Sequence, residues 1–176
     1  MAIDERYQDI ERDEWSGLMV DWNELAERCA KATCPSRMLD ADIFMTAGGR
    51  SWDDALIIAR RPCGCPGDMA IREARAMAPP FTESRDSISR LIERVLPGWA
   101  YKMGTCCVSD DAWICPDLND PVHGPRLMQQ FGPVEKGSIW DEGFDIDRRP
   151  SGNMALAMCE AFCRAMAAVA EKDATK

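Results

Sequence analysis

"FTESRDSISRLIERVLPGW", Phe81 to Trp99, is the stretch whose reading decides the fold. Ile88, Leu91, Ile92 and Val95 recur at helical spacing and form one apolar stripe. Thr82 stands where a cap is needed, Glu83 and Asp86 suit the first turn, and Pro97-Gly98 ends the pattern. Directly after it, "WAYKMGTCCVS" and "AWICPDL" flank the acid pair Asp110-Asp111 and read as an antiparallel hairpin turning at that pair. A capped amphipathic helix feeding a hairpin predicts helices packed on a small antiparallel sheet, an α+β class.

Upstream, "DWNELAERCAKATC" predicts a helix capped by Asp21, with Trp22, Leu25, Ala26, Cys29 and Thr33 on one stripe and Cys34-Pro35 as its stop. "SRMLDADIFMTAGG" predicts a second short helix ended by Gly48-Gly49. In "SWDDALIIARR" Ser51 offers a cap, but the β-branched pair Ile57-Ile58 leaves helix and strand both open. "DMAIREARAMA" predicts a helical turn or two before Pro79-Pro80. Downstream, Asn119–Arg149 carries Pro121, Pro125 and Pro133 and is acid-rich from Glu135 onward. It reads as a long loop insert with one strand near "SIWDEGFDI", and loops of that length are functional or mobile. "SGNMALAMCEAFCRAMAAVAEK" predicts a strong final helix, capped by Ser151, with Met154, Met158, Cys159, Phe162, Met166 and Val169 inward. The organisation expected is an acidic N-terminal arm over 1–19 and a single α+β domain over 20–176 with its loop insert at 119–149.

"CPSRMLDADIF", "FTESRDSISRLIERVLPGWAYKM" and "RPSGNMALAMCEAFCRAMAA" resemble three segments of the phage ABA sandwich domain family, small phage and prophage proteins of unknown function. In that family a Pro-Ser-Arg precedes an acidic-aliphatic helix. A Tyr/Phe-Thr-x-Ser helix then ends before Pro-x-Gly-Trp, and an Ala/Leu-rich helix with a Cys closes the domain. The chain departs from it in a longer helix end at "RLIERVLPGW" and a larger 119–149 insert. The resemblance implies an α-β-α layered sandwich around about three strands, and a phage-encoded accessory protein acting in the host cytoplasm. The family has no general catalytic motif, so no residue inherits a role.

The chain has 176 residues, enough to bury a proper core. No apolar run approaches the length of about 20 residues that a membrane span needs. The start "MAIDERYQDIERDEW" lacks the pattern of a signal peptide, so the reading is cytosolic, and the nine cysteines are expected reduced. Net charge is −9, with nine acids against three bases in Met1–Ala30 and nine against four in Tyr101–Arg148. A basic footprint for nucleic acid is lacking, whereas an acidic surface suits a basic protein partner. A homo-oligomer is left open.

Catalytic patterns are scarce. His123 is the sole histidine and reads as a surface loop residue, which disfavours multi-histidine metal sites. Gly-x-Ser-x-Gly is missing, and "TAGGRS" lacks the P-loop lysine. Cys63 and Cys65 in "RRPCGCPGD" would supply two of the four ligands of a zinc site, with one of Cys106 and Cys107, or Cys115, as a candidate further donor. A tight reduced turn is the simpler reading, so no cofactor is expected and zinc is the alternative. Asp40-x-Asp42 and Asp145-x-Asp147 read as solvated charge.

Trp99 and Trp113 read as core anchors on strands. Trp140 has two readings, a hot spot for a protein partner or a pin that fixes the loop to the body. In the first, Trp140, Asp141, Glu142, Phe144 and Asp145 form the partner-binding set. The leading expectation is a non-enzymatic binder of a host protein, such as a defence component. The alternatives are a nucleotide binder using Arg37, Arg50, Arg85 and Arg126, and a structural or zinc-stapled phage component.

Overall fold

A computed structural model describes residues 20–47, 78–105, 107–148 and 152–175. The predicted N-terminal arm, the "SWDDALIIARR" and "DMAIREARAMA" segments, Cys63, Cys65, Arg50 and Ser151 lie outside the described residues.

Helix α1, Trp22–Lys31, starts where Asp21 accepts hydrogen bonds from the backbone N–H of Asn23 and Glu24, as expected. Leu25, Ala26 and Cys29 are its buried stripe. Helix α2, Arg37–Thr46, is capped by Ser36. Helix α3, Arg85–Val95, buries Ile88, Leu91 and Ile92, but its cap is Ser84 and not Thr82. Thr82 is fully buried and tied elsewhere: its N–H and hydroxyl both donate to Asp40 Oδ1, at 2.7 and 2.9 Å. Gly98 then takes a φ of +86°, and a Cβ there would lie 2.3 Å from His123 Cβ, so only glycine fits the step from α3 into the sheet.

Strands β1, Trp99–Thr105, and β2, Asp110–Pro116, pair antiparallel from Trp99↔Pro116 to Thr105↔Asp110. Asp110 and Asp111 are thus the first residues of β2 and not the turn. The reason is Asp110: its carboxylate accepts from Thr105 Oγ1 across the hairpin and from the N–H groups of Gly152 and Asn153 at the start of the last helix. Strand β3, Phe144–Arg148, pairs antiparallel with β2, giving the order β1-β2-β3.

Between β2 and β3 the expected loop is largely built. Helix α4, Gly124–Phe131, begins with Pro125 in its first turn and stops at Gly132, whose φ is +72°. A single turn, α5, Ile139–Glu142, follows. The strand expected near "SIWDEGFDI" is β3.

Helix α6, Met154–Ala174, is capped by Asn153, whose side chain accepts from the Leu156 N–H. It packs against α1, α3 and all three strands. It is therefore buried almost all round from Ala155 to Cys163, wider than the single stripe expected, while Met154, Met166 and Val169 are only half-buried. Fully burying a side chain such as Leu156 or Phe162 contributes about 2 kcal/mol. The class is α+β with a three-stranded antiparallel sheet, as expected. Helix α6 packs along one sheet face, and α5 lies against β2 beside Cys115.

Candidate functional site

Strict alternation in β2 and β3 sorts their side chains. Ala112, Ile114, Phe144 and Ile146 turn inward and are buried. Asp111, Trp113, Asp145 and Asp147 turn outward, with Asp111 opposite Asp147 and Trp113 opposite Asp145. From β1, Lys102 joins this outer face opposite Trp113, its ammonium 5.2 Å from the Trp113 ring centre. Trp113 is thus half-buried on the outer face and is not the core anchor expected; Trp99 is one.

Helix α5 borders this face. Trp113 Nε1 donates to the Glu142 carbonyl at 2.6 Å, and the Cys115 thiol donates to the Trp140 carbonyl. Burial first, then the nearby Asp141 and Asp117 carboxylates, push the Cys115 thiol up to about 11.

The five residues singled out from the sequence therefore divide. Asp141, Glu142 and Asp145 are exposed around the outer face. Phe144 is buried, so its side chain offers a partner nothing. Trp140 is half-buried: its ring lies 4.7 Å from Phe131, 6.0 Å from Phe144 and 6.4 Å from Trp99, with Lys172 above it. That geometry matches the pinning alternative.

A groove of about 540 Å³ runs beside β3. Asp145–Arg148 form one wall, the end of α1 and its exit, Ala30 to Thr33, form the other, and Leu156, Glu160 and Arg164 of α6 lie between them. Arg148 bridges the walls by donating to the Cys29 carbonyl at 2.7 Å and to the Ala32 carbonyl, which satisfies the open end of α1. It also lies 3.7 Å from buried Glu160, which accepts from Arg164 at 2.6 Å. Beside the groove, burial pushes the Asp110 carboxyl up. Its bonds from Thr105, Gly152 and Asn153, with Arg148 near, outweigh that and hold it below the usual carboxylate range.

Other expected site residues are engaged elsewhere. Arg37 holds Asp40 and the Ala78 carbonyl, and Arg126 donates to the Pro97 carbonyl, while Arg85 is exposed on α3. Asp42 pairs with Arg28 at 2.6 Å. His123 is half-buried against Gly98 at the start of α4 and is not a free loop residue. Cys29, Cys115, Cys159 and Cys163 are buried thiols, whereas Cys34 and Cys107 are exposed. Among the described residues no group of three or more His, Cys, Asp or Glu converges as metal ligands, and no helix is long and apolar enough to cross a membrane. Of the two residues central here, Asp111 reads from the sequence as part of the hairpin turn and Arg148 receives no role there. The signal was present in "FDIDR", which alternates apolar and charged residues without a break.

No family model, curated protein or solved structure matches the chain.

Proposed function

We propose that this chain is a phage-encoded accessory protein that works by binding a basic surface of a host protein, with a component of bacterial defence as the class of target. The carrying observation is the outer sheet face, where Asp111, Asp145 and Asp147 stand together across two paired strands. Like charges directly opposite each other weaken a sheet, so the facing of Asp111 and Asp147 is not a pairing that favours the sheet. It makes sense as a negative potential held on a rigid surface, and a chain of net charge −9 adds to it over longer range. The phage origin rests on the resemblance of the three quoted segments. A nucleotide sponge is less favoured, because Arg148 and Arg164, the guanidinium groups lining the groove, are engaged with Glu160.

The test uses the full chain and the triple variant D111K/D145K/D147K as parallel baits in host lysate, after circular dichroism shows equal folding. The expected result is a small set of proteins with basic surfaces, held by the first bait and lost from the second. Identical capture by both would remove the acidic face from the function.

A further inference from the structure

We infer that the partner is held as an extended basic strand added to the edge of β3 away from β2; this rests on the acidic-face reading and names its binding mode. Among the described residues β3 is a terminal strand, paired with β2 on one side only. A terminal strand presents a row of backbone donors and acceptors to its open side, and another strand pairs there at a spacing of about 4.8 Å. The groove lies on that side. Its volume of about 540 Å³ falls within the range that holds ligands.

Charge decides between the occupants. Charged side chains on an exposed edge ordinarily prevent pairing with a second copy. Asp145 and Asp147 have that effect here, because a second β3 would bring two more acids alongside them. The same two carboxylates favour an incoming strand with lysine or arginine at alternate positions, one beside each aspartate. The cations around the groove do not oppose this strongly. Arg148 is turned onto the α1 carbonyls, Arg164 onto Glu160, and Lys31 onto Glu27 at 3.0 Å. Arg148 closes one end, so the pairing positions are Phe144 to Asp147.

The probe is a short synthetic peptide alternating lysine and valine, with two derivatives N-methylated on alternate amides in opposite registers. N-methylation removes one edge's donors and leaves the charge intact. Titrations into the full chain are followed by amide NMR shifts and by calorimetry. The parent should shift the amides of residues 144–148 foremost. One N-methylated register should lose about tenfold in affinity and the other little, as expected for one or two backbone hydrogen bonds. An acidic peptide of the same alternation should not bind. If both registers bind as tightly as the parent, strand addition is wrong, yet weakening by D111K/D145K/D147K would leave the acidic-face reading standing. If the triple variant binds the parent unchanged, that reading fails with it. A parent peptide that does not bind overturns the strand inference alone, provided the lysate capture is still lost in the triple variant.

Discussion

Asp40 and Thr82, on separate segments, are joined twice: the Thr82 N–H and its hydroxyl both donate to Asp40 Oδ1, at 2.7 and 2.9 Å. The same hydroxyl accepts from the Ser36 N–H, so one threonine links the cap of α2, the body of α2 and the approach to α3. Thr82→Val keeps the shape but strands a buried carboxylate lone pair and a backbone donor. It should cost about 1–3 kcal/mol in urea unfolding. Ser84→Ala removes only the true α3 cap and should cost about 1 kcal/mol. The reverse ranking would show that the Thr82–Asp40 link holds the fold less firmly than the α3 cap does.

Asp40 and Asp110 should leave opposite marks on stability as pH changes. Burial raises the Asp40 carboxyl above its ordinary 3.8, despite the bonds from Thr82 and the charge of Arg37. A raised folded value means that its contribution is fully present below 3.8 and is lost as pH rises through the folded value. Asp110 is held lower than 3.8, so its contribution is present above 3.8 and is lost as pH falls through the folded value. Denaturant midpoints of wild type, Asp40→Asn and Asp110→Asn, measured across the acid range, give the test. The wild type's margin over Asp110→Asn should shrink on acidification, and its margin over Asp40→Asn should grow. Parallel curves would contradict the assignment.

Arg148 ties three elements through one planar group, which lysine cannot reproduce. Arg148→Ala opens the end of α1 and removes one of two cations beside buried Glu160, while Arg164 remains. The expected cost is about 2–3 kcal/mol, below that of a wholly orphaned buried charge. Arg148→Lys should recover less than half of it. Amide exchange should quicken at the end of α1, and a uniform increase across the chain would instead mean that Arg148 has no local role.

Thiol reactivity should follow burial. Burial pushes Cys159 and Cys163 well above the ordinary thiol value, with Cys29 close to both, so these thiols stay protonated and inaccessible. At neutral pH, iodoacetamide labelling read by peptide mass spectrometry should mark Cys34 and Cys107 early. Cys29, Cys115, Cys159 and Cys163 should be marked only on unfolding. Early labelling of Cys159 would mean that α6 separates from α1 in the native state.

The legible parts of the sequence were those where one local rule acts alone. Asp21 and the Ile88–Leu91–Ile92 stripe stand where spacing and capping chemistry put them. Thr82 and Asp110 were misread because each has a short-range use, as a cap and as a turn. Each is taken instead by a partner far along the chain, Asp40 for one and the start of α6 for the other. Helix α4 could have been found: Pro125 opens it, Leu127 and Phe131 lie four apart, and Gly132 closes it. The density of prolines hid that pattern. The outer face needed the register, because only pairing brings Asp111 opposite Asp147.

Gly143 is where α5 meets the sheet, and a side chain there should break that junction. Its φ is +83°, and an added Cβ would lie 2.7 Å from Trp113 Nε1, 2.8 Å from the Ile114 carbonyl and 2.9 Å from Cys115 Cβ. Two of these neighbours belong to backbone or to the base of a side chain, so α5 must move away as a unit. Gly143→Ala should therefore lose the Trp113–Glu142 bond and cost about 2–4 kcal/mol, from backbone strain combined with the displaced junction. Gly132 also has positive φ, but nothing lies within 4 Å of the added atom, so Gly132→Ala isolates the strain and should cost about 1–2 kcal/mol. Unfolding curves rank the two, and indole NMR reports Trp113 directly. An unshifted Trp113 Nε1–H signal in Gly143→Ala would show that α5 does not depend on this contact.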